Sequence, residues 1–244
     1  MAVTTNTTTF NPTLNELIEE AFERCGLELR SGYDFRTARR SLNFLLTEWA
    51  NRGINLWTIE QGQLPLVQGQ VTYDLPVDTV DLLEHVIRTF PGSAANQIDI
   101  NINRISVSTY STIPNKLTQG RPIQVWINRQ SGQEPQGGTR KVPQINVWPS
   151  PDQGTLQNPY YYFVYWRLRR MYDAGNGSNV EDIPFRLQNA LVAGLSYMLA
   201  VKRPEAFQRV AMLKQQYDEA WELAAGEDRE KAPDRLVPRM ITYR

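Results

Sequence analysis

The chain has 244 residues, 41% of them hydrophobic and 21% charged, enough apolar side chain to bury a core in one or two domains. Twenty-six basic residues balance 26 acidic ones, so the whole chain lacks the basic excess expected of a nucleic-acid binder. A single cysteine excludes an internal disulfide framework and any cysteine-based zinc spacing.

The opening stretch, "MAVTTNTTTF", has neither a basic region nor an apolar run, so we expect a polar arm over residues 1–12 and synthesis in the cytoplasm. Thr13 then opens a helix. Glu16 stands three residues on, which makes a capping box, and Leu14, Leu17, Ile18, Ala21, Phe22 and Cys25 recur at helical spacing until Gly26. Cys25 lies on that apolar stripe and reads as a buried thiol. A second helix is expected after "GYD", with Asp34 as its cap and Phe35, Ala38, Leu42, Leu45 and Trp49 on its buried face. Arg36, Arg39 and Arg40 fall elsewhere on its surface, and Gly53 suits the left-handed residue after a helix end.

From Ile54 to Met171 the hydrophobic period changes to two. "LPLVQGQVTYDLP" reads as a hairpin around Gln68 and Gly69, and "LLEHVIRTF", "QIDINI", "IQVWINR", "QINVW" and "YYYFVYWRLRR" read as strands. Glycine- and proline-rich turns between them suggest a small antiparallel sandwich or rolled sheet. "RISVSTYSTIPNK" lacks strand alternation and suits a short helix, while "SGQEPQGGTRK" reads as a polar loop.

Helical spacing returns at Asp182 and Pro184. Phe185, Leu187, Leu191, Val192, Leu195, Met198 and Leu199 make this helix apolar over more than half its circumference, as for a central helix. It is too short and too polar to span a bilayer, and no membrane association is expected. Pro204 starts a last helix, with Phe207, Val210, Leu213, Tyr217, Trp221 and Ala224 on one stripe down to Gly226.

The expected fold class is therefore α+β: a four-helix bundle formed by the N- and C-terminal helix pairs, an inserted antiparallel β lobe and an extended C-terminal tail. The expected boundaries are 1–12 for the arm, 13–53 with 182–226 for the bundle, 54–171 for the β lobe and 227–244 for the extension.

No catalytic constellation stands out. His85 is the one histidine, it sits in an alternating strand pattern, and no nucleophile motif accompanies it. The paired carboxylates of "IEEAFE" and "GEDRE" read as solvated helix faces, and "GGTRK" lacks the strand–loop–helix context of a phosphate loop. Neither a cofactor nor a metal is expected. In "PYYYFVYWRLRR" large groups alternate onto both faces, which suits a strand covered on both sides rather than a nucleic-acid platform; Arg167, Arg169 and Arg170 form a local basic cluster for phosphate or an acidic partner.

The last eighteen residues, "EDREKAPDRLVPRMITYR", carry Leu236, Val237, Met240, Ile241 and Tyr243 among five basic and four acidic groups. Burying one such apolar side chain returns about 1.5–3 kcal/mol, and fixing each residue of backbone costs about 1–2 kcal/mol. Five apolar groups spread over so long a stretch do not offset its ordering. The segment is expected to settle only on a partner, with Arg235, Arg239 and Arg244 adding charge-assisted hydrogen bonds there.

Several stretches together resemble the head-to-tail adaptor proteins of short-tailed bacteriophages, also called tail accessory or packaged-DNA stabilisation factors and related to tubular tail proteins. They are "ARRSLNFLLTEWANRGINLWTIEQG", "YDLPVDTVDLLEHVIR", "RISVSTYSTIPNK", "QGRPIQVWINRQ", "INVWPSPD", "DIPFRLQNALVAGLSYMLAVKRPE" and "EDREKAPDRLVPR". The resemblance implies a structural virion protein: a ring, typically twelve-fold, that joins the portal to the tail nozzle or hub and its fibres or spikes. Double-stranded DNA would pass through the lumen without sequence-specific binding. It also implies that the C-terminal extension contacts the portal, here through Arg229, Arg235, Leu236, Val237, Arg239 and Tyr243. The rival expectations are a phage-associated peptidoglycan-cleaving enzyme and a DNA-binding protein.

Overall fold

A computed structural model describes residues 7–130 and 141–228. The chain divides into two compact units, one of residues 1–57 with 172–244 and one of residues 58–171. Among the described residues there are five α-helices and eight strands.

In the first unit, helix α1 spans Leu14–Cys25. Thr13 and Glu16 form the capping box, and the next-door loop completes the cap. The Asn179 and Gly177 carbonyls accept from the Leu14 and Asn15 N–H groups at 2.9 and 3.1 Å. These satisfy donors that the helix itself leaves open. Leu14, Leu17, Ile18, Ala21, Phe22 and Cys25 are all buried, and Gly26 closes the helix at φ 74°. Helix α2, Gly32–Asn51, is capped by Ser31 rather than Asp34. Ser31 accepts from the Asp34 N–H, and the Asp34 carboxylate instead pairs with Arg203.

Helix α4, Gln188–Lys202, follows a 3-10 turn at Phe185–Leu187 and is buried around most of its length. It packs separately against α1, α2 and α5, Val210–Glu227, whereas α1 and α2 touch each other little. This overturns the expected four-helix bundle of two helix pairs; only the α+β class is compatible with the structure. The reason lies in the small residues of α4. Ala190, Ala193, Gly194, Ser196 and Ala200 let neighbours approach from several sides. A Cβ at Gly194 would come within 2.8 Å of Tyr217 and 2.9 Å of Leu45, side chains from two different helices. The last helix also starts later than its pattern suggests. Pro204–Arg209 is a 3-10 turn, whose three-residue period rotates Phe207 to 77% exposure and buries Ala206 instead.

The second unit holds two four-stranded sheets. One has the order β1 (Ile59–Leu66), β8 (Tyr161–Arg169), β3 (Thr79–Thr89), β4 (Ile98–Asn101). The other has the order β2 (Thr72–Asp74), β7 (Gln144–Trp148), β6 (Gln124–Asn128), β5 (Asn103–Ile105). Both contribute to one core, into which Leu66, Ile87, Val125, Ile145 and Phe163 are fully or almost fully buried.

Two expectations change here. "LPLVQGQVTYDLP" is a corner between sheets rather than a hairpin: β1 pairs with β8 and β2 with β7. The Tyr73 hydroxyl pins the corner, donating toward the Val67 or Gln70 carbonyl, each at 3.1 Å, and accepting from the Val67 N–H at 2.9 Å. The lobe is also not wholly antiparallel, because β5 runs parallel to β6. A parallel pair needs a crossover, and helix α3, Val107–Ser111, lies in it. The loop expected at Ser131–Arg140 lies outside the described residues.

Candidate functional site

The C-terminal end of α5 is tied to a distant stretch of the first unit. Asp228 follows the helix, and its side chain is fully enclosed. One carboxylate oxygen accepts from the Asn55 and Leu56 backbone N–H groups at 2.9 and 3.4 Å; the other meets the Arg186 guanidinium at 3.1 Å. Asp228 thereby caps the 3-10 turn Leu56–Thr58, which begins 172 residues earlier in the chain. The acidic pair in "GEDRE" is thus no simple solvated face, and sequence reading missed this anchor. Its partners are distant backbone N–H groups, which no local spacing reveals.

An aromatic cluster joins α2 to α5. Trp49 is completely buried, its indole N–H donates to the Tyr217 hydroxyl at 3.0 Å, and its ring lies 5.5 Å from Trp221. Arg52 stacks over Trp221 at 4.6 Å while pairing with Glu48. Burial pushes the Tyr217 hydroxyl above its ordinary pKa, against the hydrogen bond from Trp49, so it stays a neutral acceptor of that bond. The six residues expected to meet the portal, Arg229, Arg235, Leu236, Val237, Arg239 and Tyr243, lie outside the described residues.

A groove of about 660 Å³ opens between the arm, α1 and the start of α4. Leu17 and Val192 are buried in it, Phe10 and Phe185 stand 73% and 71% exposed, and Glu16 and Glu20 line it. Its arginine, Arg24, is held by Glu20 at 2.8 Å and by Asn189 at 3.3 Å.

The other residues singled out by sequence take structural positions. Cys25 is buried, its thiol lies 3.1 Å from the Ser196 carbonyl, and burial pushes its pKa up to about 11, which leaves a poor nucleophile. His85 stacks on Phe163 at 5.8 Å, and neither ring nitrogen makes a hydrogen bond of good geometry among the described residues. Burial holds its pKa below the usual histidine value; Glu84 and the Ile102 carbonyl oppose this without reversing it. The basic cluster of β8 is spent inside its own unit rather than offered to phosphate. Arg167 pairs with Asp78 at 2.6 Å and Glu60 at 2.7 Å, and Arg169 reaches the same Glu60 at 2.7 Å. Tyr161, Phe163 and Tyr165 alternate into the core.

Among the described residues no helix is long and apolar enough to cross a membrane, and no group of three or more His, Cys, Asp or Glu side chains is arranged to hold a metal ion. A comparison with protein families finds that the model described as SU10 adaptor protein matches residues 12–239. No curated protein matches the chain.

Proposed function

The chain belongs to the SU10 adaptor protein family, a family of structural adaptors of the phage virion, and from that premise we propose that it forms a ring beneath the portal. The ring, twelve-fold as the sequence resemblance implies, joins the portal to the tail and extends the DNA channel toward the nozzle and fibres. The C-terminal extension docks on the portal through Arg229, Arg235, Leu236, Val237, Arg239 and Tyr243.

The observation that carries this reading is the anchoring of Asp228. Asp228, the second residue of the extension, is fixed by three hydrogen-bonding contacts on the helical unit. A fixed base sets the point on the helical unit from which the extension begins. In a ring, many copies would present such extensions together, so individually weak contacts multiply through effective concentration. The zero net charge also suits a conduit, since a strongly basic lumen would retain the duplex that must leave.

Removing residues 229–244 while keeping Asp228 tests the proposal. The shortened protein should keep its helical circular dichroism and melting temperature, yet bind purified portal rings at least about tenfold more weakly. Unchanged portal affinity of the truncated protein would sink the assigned role of the extension.

A further inference from the structure

Helix α2 turns an unusual row of side chains to solvent. Tyr33, Arg36, Arg40 and Phe44 follow one another at intervals of three, four and four residues, which places them on one helical face. Tyr33 and Phe44 are 61% and 63% exposed, and both arginines are exposed. Among the described residues neither Arg36 nor Arg40 forms an ion pair. The two acidic residues of α2 are engaged elsewhere, Asp34 with Arg203 and Glu48 with Arg52. Beside the row, Lys202 donates to Ser41 Oγ at 2.6 Å; burial, and then repulsion from Arg40, lower its pKa. The row is thus two aromatic knobs set among uncompensated positive charge. Aromatic residues and arginine are the side chains most enriched where protein surfaces bind tightly.

The same unit carries the opposite pattern. Helix α1 has four glutamates, Glu16, Glu19, Glu20 and Glu23, against one arginine, Arg24, which is a net charge of −3. All four glutamates are exposed. Their helix forms one wall of the groove that leaves Phe10 and Phe185 open, and the groove's arginine is already held by Glu20 and Asn189.

We propose that the Tyr33–Phe44 row of one copy seats in the Phe10–Phe185 groove of the next, with Arg36 and Arg40 meeting the α1 glutamates. This rests on the ring reading above and assigns its contact between neighbours. One patch meets a different patch, so the contact is head-to-tail, as a ring requires. Charge fixes the register, because row against row and groove against groove both set like charges together. Two arginines and a neighbouring lysine fall short of the six to ten or so phosphate contacts typical of a duplex-binding surface, which favours a protein occupant.

Charge swapping in the full-length chain tests the contact, with assembly mass read by analytical ultracentrifugation alone and on purified portal rings. R36E/R40E and E20K/E23K should each raise the concentration for half-assembly at least about tenfold. Mixing the two variants, or combining all four substitutions in one chain, should restore assembly, since each contact is again between opposite charges. Y33A/F44A, which leaves every charge in place, should weaken assembly without rescue by mixing. These positions are solvent-exposed, so melting temperatures should hold and loss of assembly is separable from unfolding. If wild type assembles and the charge variants assemble equally well, or if mixing fails to rescue them, this contact is wrong while the ring stands. If wild type never exceeds one copy, even on the portal, the ring reading itself falls and takes the contact with it. If R36E/R40E assembles normally but loses salt-sensitive retention on duplex DNA, the row is a nucleic-acid surface and the proposal is overturned.

Discussion

The arginine cluster of the β unit contrasts with the arginine row on helix α2, although other arginines of the helical unit, Arg24, Arg52, Arg186 and Arg203, are paired with carboxylates. In the β unit Arg167 and Arg169 are buried and locked to Glu60 and Asp78, and Arg88 and Arg104 pair with Asp99 and Asp81. In the helical unit Arg36 and Arg40 stand out from α2 with no ion pair among the described residues. A cation enclosed with its carboxylates has little left for a partner. A cation beside exposed aromatic rings has little reason to be there without one. The β unit's ionic groups tie its own strands and turns together, whereas the α2 row keeps two exposed cations without an ion pair among the described residues.

Perturbing each unit's interior should break this contrast most strongly. Trp49→Ala removes a completely buried ring and strands the Tyr217 hydroxyl. It should cost the helical unit about 3–5 kcal/mol, measured by urea unfolding followed through helical circular dichroism. Arg167→Ala should cost the β unit about 2–4 kcal/mol, somewhat below the range for a wholly buried pair, because the Glu60 and Asp78 side chains are 40% and 30% exposed. By contrast, R36E/R40E should leave stability within about 0.5 kcal/mol, as for other surface changes.

A finer test uses pH, because the units should respond with opposite sign. In the helical unit Glu181 is buried in the loop before α4, and burial pushes its pKa up to about 7, against the Gly175 backbone contact and with help from Asp182. The folded state therefore binds a proton that the unfolded state has released, and this unit should lose stability as pH rises from about 4.5 to 7. In the β unit burial depresses the pKa of His85, so the unfolded state takes up the proton first. That unit should lose stability as pH falls below 6.5. Hydrogen exchange resolved by segment across pH 5–7 would show the crossing. Glu181→Gln should flatten the helical response, and His85→Leu the other. Asp228→Asn should cost the helical unit about 0.5–1 kcal/mol for one weakened cap, with a larger fractional loss in portal binding.

Legibility in the sequence followed the range of the interaction. Helix α1 was readable in full, because the Thr13–Glu16 box, the apolar stripe and Gly26 are all local signals. The start of α2 was misplaced by three residues, since Ser31 and Asp34 are both good caps and only the engagement of Asp34 with Arg203 decides between them. The face of α4 was readable, but not its neighbours. Apolar periodicity says how much of a helix is buried and nothing of which helices bury it, and so a paired bundle was expected where α4 is a hub. Gln68–Gly69 has the chemistry of a hairpin turn, and only the partners β8 and β7 turn it into a corner. At the candidate site the apolar content of the extension was visible in the residues, whereas the Asp228 anchor and the groove join stretches far apart in the chain.

The interruption of the helical unit by residues 58–171 also sets an order of events on the ribosome. Helices α1 and α2 leave the exit tunnel more than 130 residues before α4, their shared packing partner. At translation speeds of about 5–20 residues per second, their greasy sides wait roughly 7–25 seconds for cover. The intervening segment carries all its strands together and is free to collapse meanwhile. Nascent α1 and α2 are therefore the part of this protein with most need of a chaperone, and slowing translation just before α4 should lengthen that need.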